Sequence, residues 1–565
     1  MPWTLYRYIL RELLKLLVVT TIVLVTVISF AAAIKPLADG LLGPASMLRF
    51  VGYTAPTMLG FVLPFAGAFS STLVFIRLAS DNEILACSAS GLSYRTILLP
   101  VAGLGLVLTM GLFGLSNFVI PHFYRAAAQT VEEDMLSVLV SQLNQGRAFD
   151  RIDGVVLYAD AARDVELTPE RLEKIDSPIP PSRLIRLDGV AVAEYGDAGE
   201  LQAQTTAEQA SALVLRDPVT HQSLVDIWLY HTIRFDSLRG ELIQGGRLDF
   251  FPMTLDNPLE DSPKFMSLSE LRQLKHRPER YDEVRQRKRQ LWRALASHRL
   301  MQLIEERLIS AESGGVLELE GTRPGHRYGI EVPEVRRPDD PAASDVLLLQ
   351  GRPERPVRVR ITGAERSDRV MEAASGVLQI EYVGAELQPS IRIRLREVTV
   401  HDPRLPEQVT AQHVERELQR MVWPERLLAK RFSDFSALRL LAVARAQPNP
   451  EPGLQRAMGG LTYQLRSLRR SVKAQLHERA ALAVACLLLL TLGAILSMHL
   501  KGQMPLLVYF WSFLLAILTL VLIYTGENLA SDDNFELLGG LLVLWSGNMG
   551  LAVLAGWTYC RVART

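Results

Sequence analysis

The stretch Leu16-Leu-Val-Val-Thr-Thr-Ile-Val-Leu-Val-Thr-Val-Ile-Ser-Phe-Ala-Ala-Ala-Ile34 carries no charged side chain. A helix rises about 1.5 Å per residue, so about 20 apolar residues bridge the ~30 Å hydrocarbon core of a bilayer. In that medium the backbone must bond to itself, and a helix does so within one segment. Working outward, five similar charge-free runs follow: Phe50–Ile76, Thr96–Pro121, Ala480–Met498, Gly502–Gly526 and Leu537–Cys560. Three runs precede a largely polar middle region and three follow it. The expected fold is therefore an α-helical polytopic membrane protein of six transmembrane helices, arranged 3 + 3, with one large domain on one side of the bilayer. The first run is too long for the apolar core of a secretory signal and is read as a retained anchor.

Lys and Arg near a span resist translocation. With the N-terminus inside, the cytoplasmic pieces carry Arg7, Arg11, Lys15, Arg77, Arg95, Lys501, Arg561 and Arg564. The opposing short loops carry Lys35, Arg49 and an acidic cluster of Glu527, Asp532, Asp533 and Glu536. Both termini are thus expected in the cytoplasm and the large domain outside. The 61 basic and 61 acidic residues cancel; this averages spans with domain and says little about partners, and no nucleic acid is expected among them. Cys87, Cys486 and Cys560 lie in or beside spans, so the exported domain must be stable without disulfides. Neither the Cys nor the His residues show metal-ligand spacing, and no cofactor is expected.

From about Leu143 to Pro258, short alternating apolar segments are broken by Gly, Asp and Pro, as in Ser182-Arg-Leu-Ile-Arg-Leu and Val190-Ala-Val-Ala-Glu-Tyr. About eight such strands suit an antiparallel sandwich or jelly roll. The expected divisions are spans one to three at 1–121, with a short helix at 78–93, and a β-jelly-roll-like domain at 122–263. A charged helical segment at 264–312, broken near Pro278, leads to a second β-rich block at 313–402. A charged helical connector at 403–476 then joins spans four to six at 477–565. Phe265-Met-Ser-Leu-Ser-Glu-Leu-Arg-Gln-Leu and Phe432-Ser-Asp-Phe-Ser-Ala-Leu-Arg-Leu-Leu share five of ten positions. Partial duplication and chance likeness of two helix starts both explain that.

The loop between spans two and three reads Arg77-Leu-Ala-Ser-Asp-Asn-Glu-Ile-Leu-Ala-Cys-Ser-Ala-Ser-Gly-Leu-Ser93. Ser80 or Asp81 is expected to cap a short interfacial helix, Glu83 to lie in its first turn, and Gly91 to follow its end. Ile84, Leu85 and Ala89 form an apolar edge suited to a groove on a soluble partner. This loop resembles the coupling helix of the LptF/LptG family of lipopolysaccharide-export permeases, including its Ala89-Ser90-Gly91. Other resemblances fall in the same order: Arg7-Tyr-Ile, Ile34-Lys35, Pro56 and Pro64, Leu157-Tyr-Ala, Met266-Ser-Leu-Ser-Glu-Leu, His477-Glu-Arg and Trp545-x-x-Asn548. They cover about residues 1–290 and 459–565. The stretch from about 294 to 455 departs from the family and reads as an insertion.

The resemblance implies a permease subunit of an ATP-driven ABC exporter. Its expected partners are two copies of a cytoplasmic ATPase, a second homologous or identical permease, and a periplasmic bridge protein of LptC type. The cargo would be lipopolysaccharide or a related glycolipid. The chain has no Gly-Lys dipeptide, hence no phosphate-binding loop, and is not expected to be an enzyme. Arg77, Ser80, Asp81, Glu83, Ile84, Leu85, Ser90 and Gly91 are the candidates for ATPase coupling, with Glu83 matching the glutamate that meets the ATPase. The bland reading of Glu83 is a first-turn acid favoured by the helix dipole. Lys35 is either an interfacial lysine reaching water or a contact to a phosphorylated lipid. Trp545 and Asn548 either line a lipid cavity or bond a neighbouring helix. Two rivals stay open: a transmembrane scaffold or sensor with a ligand-binding outer domain, and a permease for another envelope lipid or lipoprotein.

Overall fold

The computed structural model describes residues 3–38, 46–152, 155–165, 181–195, 201–216, 223–236, 241–254, 263–309, 316–321, 326–338, 345–363, 366–383, 387–401, 411–424, 431–500 and 503–564. It divides into two compact units, residues 1–275 with 469–565, and residues 276–468.

The first unit opens with helices α1 (Trp3–Ala38), α2 (Met47–Ser80), α3 (Glu83–Ala89) and α4 (Tyr94–Gly114). One π-helical turn, Leu115–Val119, joins α4 to α5 (Ile120–Asn144). The helix of the third apolar run therefore continues past Pro121, and the β region begins at Phe149 rather than at 122. Pro121 is tolerated because it sits at the first turn of α5, just after the π-helical turn.

Six strands follow: β1 (Phe149–Ile152), β2 (Val155–Val165), β3 (Pro181–Tyr195), β4 (Leu201–Arg216), β5 (Ser223–Asp236) and β6 (Glu241–Thr254). They are antiparallel and pair in chain order. The crossovers of a jelly roll are not found among the described residues, and the strands form a meander. Among the described residues they are also fewer and longer than expected. Ser182–Leu187 and Val190–Tyr195, read as separate strands, are two halves of β3. The Asp188-Gly189 between them is a crease and not a turn. Gly189 has φ 61° and His231 of β5 has φ 54°. Pairing skips the row Asp160, Gly189, Glu208 and His231, while the register on either side stays constant. Core-facing positions change from odd to even across this row: Leu157 and Ala159 then Ala162, Ile185 and Leu187 then Val190 and Val192, Ala207 then Ala210. Leu139 and Leu143 of α5 complete that core.

The closing segment is a 3-10 turn (Pro263–Phe265) followed by α6 (Leu268–His276). The second unit holds α7 (Asp282–Ile309), which follows the expected break at Pro278. Strands β7 (Val316–Glu320), β8 (Arg327–Glu331), β9 (Glu334–Arg336), β10 (Val346–Gln350), β11 (Val357–Gly363), β12 (Arg366–Val383), β13 (Gln388–His401) and β14 (Ala411–Met421) make its sheet. The order is β14-β13-β12-β11-β8-β7, with β10 pairing β12 and β9. Reciprocal backbone bonds between Glu320 and Val422 (2.9 and 2.8 Å) bring the two ends of that order together. Leu300, Met301, Ile304 and Leu308 of α7 fill the interior beside Leu317, Ile330, Val359, Ile393 and Leu395.

The charged connector expected from 403 contains strand β14 instead of helix over 411–421; residues 402–410 lie outside the described residues. Its alternating charges explain the difference. Glu415 and Glu417 meet Arg394 (3.1 Å) and Arg392 (3.0 Å) across the strand pair, so a period-two pattern finds cross-strand partners. A second 3-10 turn, Phe432–Asp434, precedes α8 (Ala437–Arg445), as Pro263–Phe265 precedes α6. The two pieces correspond when Ser267 is matched to Ser436, each accepting from the first turn of its helix. That match is offset by two positions from the one visible in the sequence.

Helix α9 (Pro452–His499) contributes to both units, and α10 (Pro505–Ser531) and α11 (Leu537–Val562) close the chain. Among the described residues, six helices are long and apolar enough to cross a membrane: α1, α2, the one begun by α4, α9, α10 and α11. A Cβ on Gly526 would collide with the Leu544 backbone, and one on Gly540 with the Ala530 backbone, so α10 and α11 touch main chain to main chain.

In the second unit, Tyr382 donates to the carbonyl of Arg293 (2.5 Å) and lies 2.6 Å from Ser297 Oγ. Burial pushes its phenol up to about 12. Tyr382→Phe should cost about 1 kcal/mol, read as a lowered unfolding midpoint in detergent. The folded pKa is raised, so this contribution is intact below the unfolded value near 10 and is lost as pH rises toward 12. That alkaline loss should be absent from the variant.

Candidate functional site

Helix α2 runs through Ser80, and Asp81 closes it rather than opening the next helix. The turn passes through Asn82 in the left-handed region (φ 56°), and neither Ser80 nor Asp81 caps α3. Asparagine tolerates that conformation better than most residues. Glu83 is the first residue of α3, and Gly91 just beyond it has φ 86°, where a side chain would strain the backbone. Ser90 Oγ donates to the Cys87 carbonyl (2.7 Å).

The expected apolar edge is divided between two directions. Ile84 is buried among Ile9, Phe75, Leu78 and Ile97, whereas Leu85 is 55% exposed. Ile84 therefore fixes α3 to its own bundle and leaves Leu85 and Ala89 outward. Arg77 Nη1 donates to Glu12 Oε2 (3.1 Å), and Arg77 Nη2 to Tyr8 Oη (3.4 Å). Tyr8 Oη donates to Glu83 Oε1 (3.4 Å). This exposed chain of contacts ties α3 to the start of α1. Sequence reading missed Tyr8 and Glu12 as site residues, though Arg7-Tyr8-Ile9 marked the region and the two stand four apart on one helix.

Lys35 is exposed in the last turn of α1, 23 residues beyond Glu12, or about 35 Å along the helix. It and Glu83 lie at opposite ends of α1 and cannot share a site. Trp545 Nε1 donates to His477 Nδ1 (3.4 Å), and Asn548 Nδ2 donates to the Ala481 carbonyl (3.0 Å). Asn548 is 3% exposed, so it bonds a neighbouring helix and does not line an open cavity.

Arg479, quoted in His477-Glu-Arg479 without a role, is the centre of a buried clasp. Its guanidinium donates to Asn117 Oδ1 (3.1 Å) and to the carbonyls of Lys264 (3.0 Å) and Met266 (2.6 Å). Asn117 lies in the π-helical turn and donates to the Phe113 carbonyl (2.7 Å). Around them Tyr124 stacks on Phe265, and Arg125 meets Glu270 at 3.2 Å. Glu270 accepts from Ser267 N (2.8 Å), a capping box that starts α6. The closing segment Met266-Ser-Leu-Ser-Glu270 is thus held by α5 on one side and α9 on the other.

Three of the motifs that carry the resemblance, Met266-Ser-Leu-Ser-Glu-Leu, His477-Glu-Arg479 and Trp545-x-x-Asn548, thus meet in space. The family model for the lipopolysaccharide export system permease LptF/LptG matches residues 7–304, more than half of the chain. The chain belongs to the LptF/LptG permease family. No curated protein matches it. The matched stretch runs from α1 through the meander and the closing segment and ends within α7. This LptF/LptG chain therefore continues beyond the match with β7–β14, α8 and α9–α11. The end at 304 falls inside the 294–455 region read as an insertion.

Arg479→Ala would leave two carbonyls and Asn117 without their donor and should cost roughly 3 kcal/mol. A thermal unfolding series in detergent checks this, with Arg479→Lys recovering part of the loss and Asn117→Ala costing less than Arg479→Ala.

Proposed function

We propose that this chain is the permease subunit of an ATP-driven ABC exporter that draws lipopolysaccharide, or a related large glycolipid, from the inner membrane. In this reading both termini and α3 face the cytoplasm, and the β meander faces the periplasm. The observation that carries it is α3: a short helix between two spans, fixed from behind by Ile84, with half-buried Glu83 at its start and Leu85 presented outward, in a chain of the LptF/LptG family. A separate ATPase, two copies per complex, would grip this helix, since the chain carries no nucleotide-binding motif and performs no bond chemistry itself.

Its stroke would enter α1 through the contacts of Glu83 and Arg77 with Tyr8 and Glu12. A second permease, homologous or identical, would supply the other half of the cavity, and an LptC-type bridge would receive the lipid from the β region. Lys35, at the far end of α1, suits an electrostatic contact to a phosphorylated lipid in the outer leaflet. The second β unit is the observation that favours a variant of this reading, an unusual cargo or bridge, over a change of class.

Purification of the tagged chain in mild detergent should yield a nucleotide-binding subunit and a bound phosphorylated glycolipid; a chain recovered without an ATPase would favour a scaffold or sensor. Glu83→Ala should lower export in the reconstituted complex at least tenfold while insertion stays normal, and wild-type export rates would refute the coupling role. Lys35→Glu should reduce lipid extraction more than ATP hydrolysis. Equal loss of both would count against lipid contact.

A further inference from the structure

We infer that α1 carries a binding stripe for an anionic phospholipid. Trp3, Arg7, Arg11, Lys15, Val19, Val23 and Val27 recur at every fourth position. Four residues turn a helix by about 400°, so the seven form one slowly winding stripe. All seven are exposed. The opposite side is spent on packing: Ile9 and Leu13 are buried with Val74, Phe75 and Ile97, and Leu17 with Val62 and Ala66. Glu12, the one acid in these turns, is bonded to Arg77. Among the described residues none of Arg7, Arg11 and Lys15 is in an ion pair.

The stripe changes character where the charge-free run begins. An aromatic residue and three cations occupy its first ~18 Å, reaching down to the headgroup layer at Lys15, and three valines span ~12 Å beyond it, roughly the depth of one leaflet. Val19, Val23 and Val27 are 55%, 55% and 61% exposed. A soluble partner could meet the cations but could not reach the valines inside the hydrocarbon. A phospholipid meets both, with its phosphate between neighbouring cations and an acyl chain along the valines. The unopposed positive charge selects the anionic class.

The test uses the full-length chain in phosphatidylcholine vesicles holding trace spin-labelled phosphatidylglycerol or, separately, spin-labelled phosphatidylcholine. The immobilised fraction of each label gives the relative affinity. One cation near an anionic lipid surface is worth about a fivefold preference, so a salt-sensitive preference of at least about fivefold for phosphatidylglycerol is expected. It should fall to about twofold or less in the triple variant Arg7→Gln, Arg11→Gln, Lys15→Gln, and survive in Arg7→Lys with Arg11→Lys. Arg564→Gln, at the other end of the chain, should leave it unchanged. Both leaflets have the same composition, so an altered insertion direction does not affect the reading. Equal selectivity in the triple variant, or none in the wild type, would overturn the inference. So would a photo-crosslinker at Val19 that captures a second protein chain in native membranes in place of lipid. Neither export nor ATP hydrolysis is measured, so failure here leaves the export reading standing.

Discussion

A guanidinium taken out of water must find acceptors, and the first unit is arranged around that requirement. Arg479 is 5% exposed, and its donors end on Asn117 and on two carbonyls of the segment that follows the meander. An uncompensated buried charge is costly enough that these three elements must arrive together. The π-helical turn belongs to the same arrangement, since its Asn117 faces α9 while bonding back to Phe113. Local irregularity in one helix thereby fixes where the β region leaves the membrane-spanning bundle.

The spans were legible because hydrocarbon permits few solutions; six charge-free runs translate directly into six long helices. The sheets were less so, for two reasons that particular residues make plain. Asp188-Gly189 has the composition of a turn, yet the chain continues straight because its neighbours across the sheet crease along the same row. Single-strand reading has no access to that shared row. In β14, Glu415-Arg-Glu417 favours a helix as local text, and only Arg392 and Arg394 on the next strand make it a strand.

The candidate site was legible in part. Glu83 and Gly91 stand where the loop pattern put them, but Ser80 and Asp81 end the helix before and do not cap the one after. Ile84 and Leu85, adjacent in sequence, point in different directions, which apolar character alone does not reveal. Tyr8 and Glu12 escaped notice because their partners lie about seventy positions away. Arg479 was quoted as part of a motif and its work was invisible, since two of its acceptors are main-chain carbonyls that any sequence would supply.

The meeting of Gly526 with Leu544 and of Gly540 with Ala530 bears on how the bundle can move. At these two points no side chain separates α10 from α11, so a relative shift there drives backbone into backbone. The last two spans accordingly behave as a single slab. Rearrangements inside the bundle must then be accommodated at its other seams.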